Sequence, residues 1–433
     1  MSGLLRWTGR LEELDAVERR TLRSRATEAG EGRLRRETTA LIDAVRSRGD
    51  AALRELAQQL DGVTLDALEV PRAACQAALS GLAPSLRQAL ERAVRNLTRV
   101  HQAAMPSACC LEVEPGIYVE RRPDPLQRVG VYAPGGRAAY PSSVLMGAVP
   151  ARVAGVAEVI LCSPPGPGGF PAPLVLAAAA LAGVDRVFAL GGAGAIAALA
   201  YGTRSVPRVC RIVGPGNAWV AEAKAQVQGV VSIDSPAGPS ELLALVDGRA
   251  DVAAVARELL AQAEHDPEAA VVALVLDAST APRLVDAVAR RLEGAERRDI
   301  ISAALRAKGA VLVADSLATA LSFIAEWAPE HLLLAVDDAE GVAARARNAG
   351  TILLGETTSG AFADYCTGAN HVLPTGGLSR SYSGLSTLDY VRWTTVQRVT
   401  RAGAAALAED VGKLARSEGL LAHAAAAEAW RSP

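Results

Sequence analysis

Short β-rich runs alternate with glycine-, proline- or serine-bearing turns and alanine-rich helical stretches, beginning at Val129. The runs cover 129–133, 158–162, 186–190 and 209–213. A strand that leads into a helix before the next strand is the signature of parallel βα units. A second set follows at 241–246, 270–276, 310–314, 332–336 and 351–355, again with helical stretches between. The alternation predicts two α/β sheet domains, one inserted in the other. Residues up to about 100 read as helical instead, with apolar positions such as Leu41, Val45, Leu53, Leu56 and Leu60 at helical spacing. After Leu388 one more β-like run, 391–399, precedes helices that continue to the end.

The bulk properties narrow the function. A formal net charge of −2 and scattered basic residues exclude a polyanionic partner, and 4% aromatics leave little for base stacking. The longest apolar run, 173–184, is too short to span a bilayer, and 1–15 is too charged for a signal peptide. The expectation is a soluble cytoplasmic protein with no nucleic-acid or membrane partner. The 6 cysteines show no C-x-x-C spacing and read as buried or incidental thiols.

Of the 5 histidines, four stand in acidic or amide-bearing clusters. Imidazole beside carboxylate composes metal sites and proton-transfer sites. The helix predicted over 251–264 turns Val252, Val255 and Leu259 inward, and the same face continues to Gln262 and His265. Polar groups in such positions need a partner, which a metal ion or a buried hydrogen bond would supply. Glu330-His331 follows a helix that Pro329 must end, which places the pair at a helix-to-strand junction. Strand ends that point out of an α/β sheet are where ligands bind. Asp364 and His371 bracket a loop in which Gly368 and Asn370 permit tight turns. Glu418 and His423 flank Gly419, which is expected to end one helix before His423 begins the next. His101 lacks such surroundings and reads as structural. Two histidines, one aspartate and one glutamine suit Zn²⁺, with Mn²⁺ or Co²⁺ as substitutes. Spacing does not decide which histidine ligates and which moves protons.

Three glycine-rich turns follow strands: Ala133-Pro134-Gly135-Gly136, Gly191-Gly192-Ala193-Gly194 and Gly214-Pro215-Gly216-Asn217. Each offers a helix N-terminus to a phosphate, and tight packing turns explain any one of them as well. The second contains a G-x-G-x-x-A match, but no Asp or Glu occurs between Asp185 and Glu222 to meet a ribose.

Together the segments VGVYAPGG, RIVGPGNAWVAEAK, DSPAGPSE, LLAQAEHDPEA, APEHL, DYCTGANHVLPTGG and SEGLLAH resemble the histidinol dehydrogenase family over about 129–423. The resemblance implies two incomplete Rossmann-like parallel-sheet domains with helical N- and C-terminal dimerisation segments. It divides the chain into a terminal segment 1–26, a first α/β domain of 27–128 plus 241–386, an inserted domain 129–240, and a C-terminal segment 387–433. It implies oxidation of L-histidinol via L-histidinal to L-histidine with two NAD and one zinc ion per subunit, the last step of histidine biosynthesis. Gln262, His265, Asp364 and His423 are implied as zinc ligands. His331 is implied as the base for the alcohol proton and Glu330 as the group that activates water. Ser240, His371 and Glu418 match substrate contacts; Tyr132 and Asn217 match NAD contacts. The family's C-terminal ligand and acid complete the partner subunit's site, so a homodimer is implied. Where the family has a glutamine that touches NAD, this chain has Gly194. The expectation is a weaker nicotinamide site that Gly194→Gln would restore.

Two other readings compete. A relative on the same scaffold could oxidise a different alcohol, such as a sulfopropanediol, but Ser240, His371 and Glu418 all being present favours histidinol. A zinc hydrolase would use the metal and Glu330, yet leaves the glycine turns and Tyr132 unexplained. A non-enzymatic binding protein has no use for both Glu330 and His331.

Overall fold

The computed structural model describes residues 3–25, 31–135, 139–236 and 238–431. The first sheet holds six strands, all parallel, in the order Trp7–Arg10, Gly309–Val313, Ala270–Val275, Glu241–Val246, His331–Ala335, Thr351–Leu354. Helices cover both faces, so its strands are apolar runs without alternation. In Glu241–Val246, Leu242, Ala244 and Val246 enter one core while Leu243 and Leu245 enter the other.

The second sheet runs Glu69–Val70, Arg186–Ala189, Glu158–Ser163, Arg128–Tyr132, Arg211–Val213, Ser232–Ile233. It is parallel except for Glu69–Val70. In both sheets the five parallel strands that follow one another along the chain adopt the Rossmann half-order, with a switch beside the first strand of the set. The expected pair of Rossmann-like units is therefore present.

The division into segments differs from expectation in two places. Residues 27–128 were assigned to the first α/β domain, yet Ile42, Val45, Leu53, Leu90 and Leu97 share one core with Val129, Leu161 and Ile196 of the second sheet. Amphipathic spacing announces that a helix has a buried face and says nothing about which sheet receives it. The segment 1–26 is also not wholly helical, because Trp7–Arg10 pairs along Gly309–Val313 at the edge of the first sheet. A third, antiparallel sheet of Val391–Val399, Ile117–Pro125 and Cys109–Glu114 joins the two halves of the chain. Its charged, half-exposed strands gave little apolar signal; only 391–399 was legible.

Candidate active site

The helix Leu317–Trp327 ends with Ala328 in the left-handed region at φ 52°, and Pro329 prevents its continuation. The chain therefore turns directly into the strand His331–Ala335, with Glu330 and His331 at its start. They lie at the amino edge of the first sheet. This differs from the rule that places ligands at carboxyl ends, and the reason is local: the helix stop precedes the strand. Both side chains are buried, Glu330 to 6% and His331 to 4% exposure.

The neighbouring strand holds the pair from its backbone. Glu241 N–H donates to Glu330 Oε2 at 2.7 Å, and His331 Nδ1 lies 3.1 Å from the Glu241 carbonyl oxygen. A carbonyl only accepts, so neutral His331 carries its proton on Nδ1 and leaves the Nε2 lone pair free. That nitrogen faces Asp364 Oδ1 at 3.8 Å, and Glu330 Oε2 is 3.4 Å from Nδ1. Burial disfavours the imidazolium, but Glu330 and Asp364 outweigh it and lift His331 to about 10.

Asp364 sits near the end of the short helix Gly360–Tyr365, capped by Ser359. Burial pushes its carboxyl up; the imidazoles of His331, His371 and His265 overcome this and hold it below its ordinary value. His371 Nδ1 is 3.0 Å from the Asp364 carbonyl, so its ring too is oriented by backbone. Burial lowers the His371 pKa. The helix Val252–Ala263 carries Gln262 on its buried face, as expected, and His265 follows its last turn. It is tied to the Asp364 helix by Gly360 N–H donating to Glu258 Oε2 at 2.9 Å. Ser240 is the residue before Glu241 and shares its edge.

The loop after Asp364 closes the site against the second sheet. Asn370 Nδ2 donates to the Met146 carbonyl at 2.8 Å, Gly376 N–H to Glu241 Oε1 at 2.6 Å, and Gly238 N–H to Thr375 Oγ1 at 2.5 Å. Gly368, at φ 94°, passes so close to helix Pro84–Ala103 that a Cβ would lie 2.6 Å from the Asn96 carbonyl oxygen.

Glu418 and His423 are not part of this cluster within one chain. Glu418 caps the helix Arg401–Ser417, Gly419 turns at φ 76°, and His423 lies in the helix Leu421–Glu428, as the break at Gly419 predicts. Both are exposed, and among the described residues neither side chain bonds to the cluster. Nearby Leu414, Leu420, Leu421 and Trp430 are exposed as well, at 44–68%.

The donor types test the implied zinc. Asp364 oxygen, His265 nitrogen and Gln262 amide oxygen suit a borderline cation, and Asp364 is a carboxylate surrounded by imidazoles. Among the described residues, no group of three His, Cys, Asp or Glu in one chain could hold a metal alone. The donor types fit zinc in kind, and His423 does not stand beside them among the described residues.

On the second sheet the turns gather at the carboxyl edge, at the switch between Arg128–Tyr132 and Arg211–Val213, where dinucleotides bind in such sheets. Gly136 lies outside the described residues. Tyr132 is buried, and its hydroxyl accepts from Gly192 N–H at 3.1 Å, bracing the second turn. Burial pushes that phenol up to about 12. Gly214 adopts φ 115°, and a Cβ there would collide with the Tyr132 carbonyl, so the first and third turns interlock only with glycine. Asn217 caps the helix Ala218–Val227, its Oδ1 accepting from Trp219 N and Val220 N at 3.1 and 3.2 Å.

Gly194 lies against the N-terminal helices. It is buried in the helix Gly192–Tyr201, and a Cβ there would meet Leu56 Cδ1 at 3.0 Å and Leu53 Cδ2 at 3.6 Å. The position packs against the leucines of the N-terminal helices, and a larger side chain there needs the tip of Leu56 to give way slightly.

Sequence reasoning missed Glu241 and Arg25. A charged residue opening the otherwise apolar run ELLALV was the available signal for Glu241. Arg25 gave none, since it stands among several arginines.

Comparison with known proteins is consistent in kind. The family model described as histidinol dehydrogenase matches residues 24–431. The chain is 48% identical over 404 residues to a histidinol dehydrogenase of Halobacterium salinarum, covering 93% of this chain and 94% of that one. It is 44% identical over 420 residues to one of Methanosarcina barkeri, covering 96% and 95%. The crystal structure of histidinol dehydrogenase from Elizabethkingia anophelis superposes with a TM-score of 0.94 at 31% identity, covering 99% of this chain and 98% of that chain.

Proposed function

Because the chain belongs to the histidinol dehydrogenase family, we propose that it oxidises L-histidinol through L-histidinal to L-histidine with two NAD, the closing step of histidine biosynthesis. The observation that carries this reading is the His331 geometry. Nδ1 is held on the Glu241 carbonyl, and Nε2, the proton-accepting nitrogen of the neutral ring, faces Asp364 Oδ1.

Gln262, His265 and Asp364, with His423 of the partner subunit, would hold zinc; Tyr132, Asn217 and the glycine turns would receive NAD. Zinc would supply a Lewis acid that anchors the substrate and would offset the Asp364 part of the charge that, after Glu330, favours imidazolium, and NAD would supply the hydride acceptor. Each oxidation removes one hydride from carbon and one proton from oxygen, so two rounds need a proton acceptor twice. His331 Nε2 takes the alcohol proton in the first round. Glu330 then takes a proton from water as it adds to the aldehyde, the protonated His331 returns its proton to the alkoxide oxygen so formed, and the neutral ring takes a proton from the hydrate in the second round. Glu330 is suited to this because its contacts fall on Oε2 and Oε1 carries none among the described residues. Ser240, His371 and the partner subunit's Glu418 would orient the substrate.

The exposed Glu418, His423 and apolar C-terminal helices support a homodimer in which each C-terminal segment completes the other subunit's site. No helix among the described residues is long and apolar enough to cross a membrane. The test is NADH formed per L-histidinol consumed on zinc-loaded protein, with and without chelator. A ratio near two that chelation abolishes is expected; no NADH from histidinol by folded, metal-loaded protein refutes the reading.

A further inference from the structure

We propose that Arg25 and Glu241 form a buried positioning pair that aims Glu330 and His331, so that the N-terminal segment sets the geometry of proton transfer. This rests on the assignment of that pair to catalysis given above. Glu241 touches both catalytic side chains through its backbone, as donor to Glu330 and acceptor from His331. Its own position depends on where its side chain is anchored. Oε1 accepts from Gly376 N–H at 2.6 Å and lies 2.9 Å from Arg25 Nε.

Arg25 is held by a ring stack, one donated hydrogen bond and its own backbone. Its guanidinium stacks on Trp327 at 4.0 Å and donates to the Trp327 carbonyl at 2.6 Å. Its own carbonyl accepts from Lys308 Nζ at 2.9 Å. Trp327 Nε1 in turn donates to the Leu22 carbonyl at 3.0 Å, locking the helix end that precedes Glu330 onto the N-terminal segment. Gly377 lies against it, since a Cβ there would fall 2.9 Å from Arg25 Nη2. One cation thus fixes the end of the helix before Glu330, the strand beside His331 and the loop after His371.

The pair is a costly choice for stability alone. Burial lowers the Arg25 pKa and drives Glu241 up to about 7 in spite of the guanidinium, so the attraction does not recover the desolvation. Among the described residues, Arg25 Nε and Nη1 and Glu241 Oε2 make no hydrogen bond, so the Arg25–Glu241 contact is a charge pair without hydrogen-bond geometry. Groups that orient a functional side chain through its neighbour typically matter by about 10–100-fold when removed, as for partners behind metal ligands. The planar, stacked fork is also the part of arginine that lysine does not reproduce.

The experiment measures kcat and both Michaelis constants of zinc-loaded, full-length R25M, R25K and R25M/E241Q, alongside bound zinc and the thermal midpoint. For R25M, kcat falls about 10–100-fold, while both Michaelis constants stay within about twofold and zinc stays bound, a pattern of misaimed catalytic groups. R25K folds even if R25M does not, and it recovers part of the loss. The double variant is no worse than R25M, because the two side chains act as a unit. Wild-type turnover in R25M or R25K, or losses in kcat that track loss of zinc and stability, would overturn the proposal. Wild-type protein that makes no NADH from histidinol would instead sink the functional reading itself.

Discussion

Lys224 is the most consequential buried cation away from the catalytic pair, and its removal has a calculable cost. Its ammonium is 1% exposed as a residue, ion-pairs with Asp234, and donates to the Gly214 carbonyl at 3.0 Å and the Ser235 carbonyl at 3.2 Å. Asp234 Oδ2 accepts from Gly214 N–H at 2.7 Å, so the pair grips the third glycine turn by both backbone groups. In K224M the shape is largely kept but the Asp234 carboxylate is left buried and unpaired. Breaking such a pair costs roughly 3–5 kcal/mol. At about 2.1 cal/mol/K of unfolding entropy per residue, that lowers the melting point of a chain this size by about 3–6 °C. D234N in the same protein removes the stranded charge and should recover most of the stability. NAD affinity should not recover, because the turn is no longer held. Thermal melts and NAD titration by tryptophan fluorescence on wild type, K224M and K224M/D234N read both quantities. A single variant that loses less than about 1 kcal/mol, or a double variant less stable than K224M, would refute the reasoning.

H331N should retain zinc and nearly abolish oxidation of histidinol, which steady-state assays and metal analysis decide together. E330Q should spare alcohol oxidation more than aldehyde oxidation; equal losses on both substrates would undo the division of roles. G194Q alone should leave the Michaelis constant for NAD unchanged or raised, while G194Q/L56A should lower it below G194Q, since Leu56 stands 3.0 Å from the new Cβ. Glu241 binds its proton up to about 7 in the folded protein because burial raises its pKa, with Glu330 adding to it, whereas the unfolded carboxyl titrates near 4.5. Its contribution to stability is therefore full below about 4.5 and lost as pH rises through about 7. E241Q should flatten the slope of stability against pH in that window, and an unchanged slope would count against the raised pKa.

What was legible in the sequence follows from what kind of signal each feature leaves. The strands of both sheets are buried on two faces, so runs such as ELLALV and AVVALV declare themselves without reference to distant residues. The break at Gly419 and the inward face of Gln262 are local as well. Tertiary choices were not legible. Helices 31–103 show an apolar stripe that fits either sheet, and only packing assigns it to the second. The strand Trp7–Arg10 has one buried residue in four, which no period can reveal. Spacing along the chain could not show that Leu56, 138 positions earlier, packs against Gly194. Arg25 was invisible for a related reason: its partners stand at positions 241, 308 and 327, and an arginine among surface arginines carries no mark of burial.

The placement of the catalytic pair at an amino edge has a physical logic of its own. The two sheets share a strand order, and the second carries its glycine turns at the carboxyl edge. A proton acceptor must approach the same substrate as the hydride acceptor but from another direction. The two sides also differ in their materials. The second sheet contributes backbone N–H groups and glycine turns, which suit a phosphate-bearing cofactor. The first contributes side chains at strand starts, where Glu241 supplies a donor to Glu330 and an acceptor to His331 from a single residue. The loop from Asp364 to Gly376 ties the two halves together, with bonds to Met146 in the helix Pro141–Val153 on one side and to Glu241 on the other. A deletion in that loop should therefore impair both oxidations together, whereas changes confined to either sheet edge should separate cofactor binding from proton transfer.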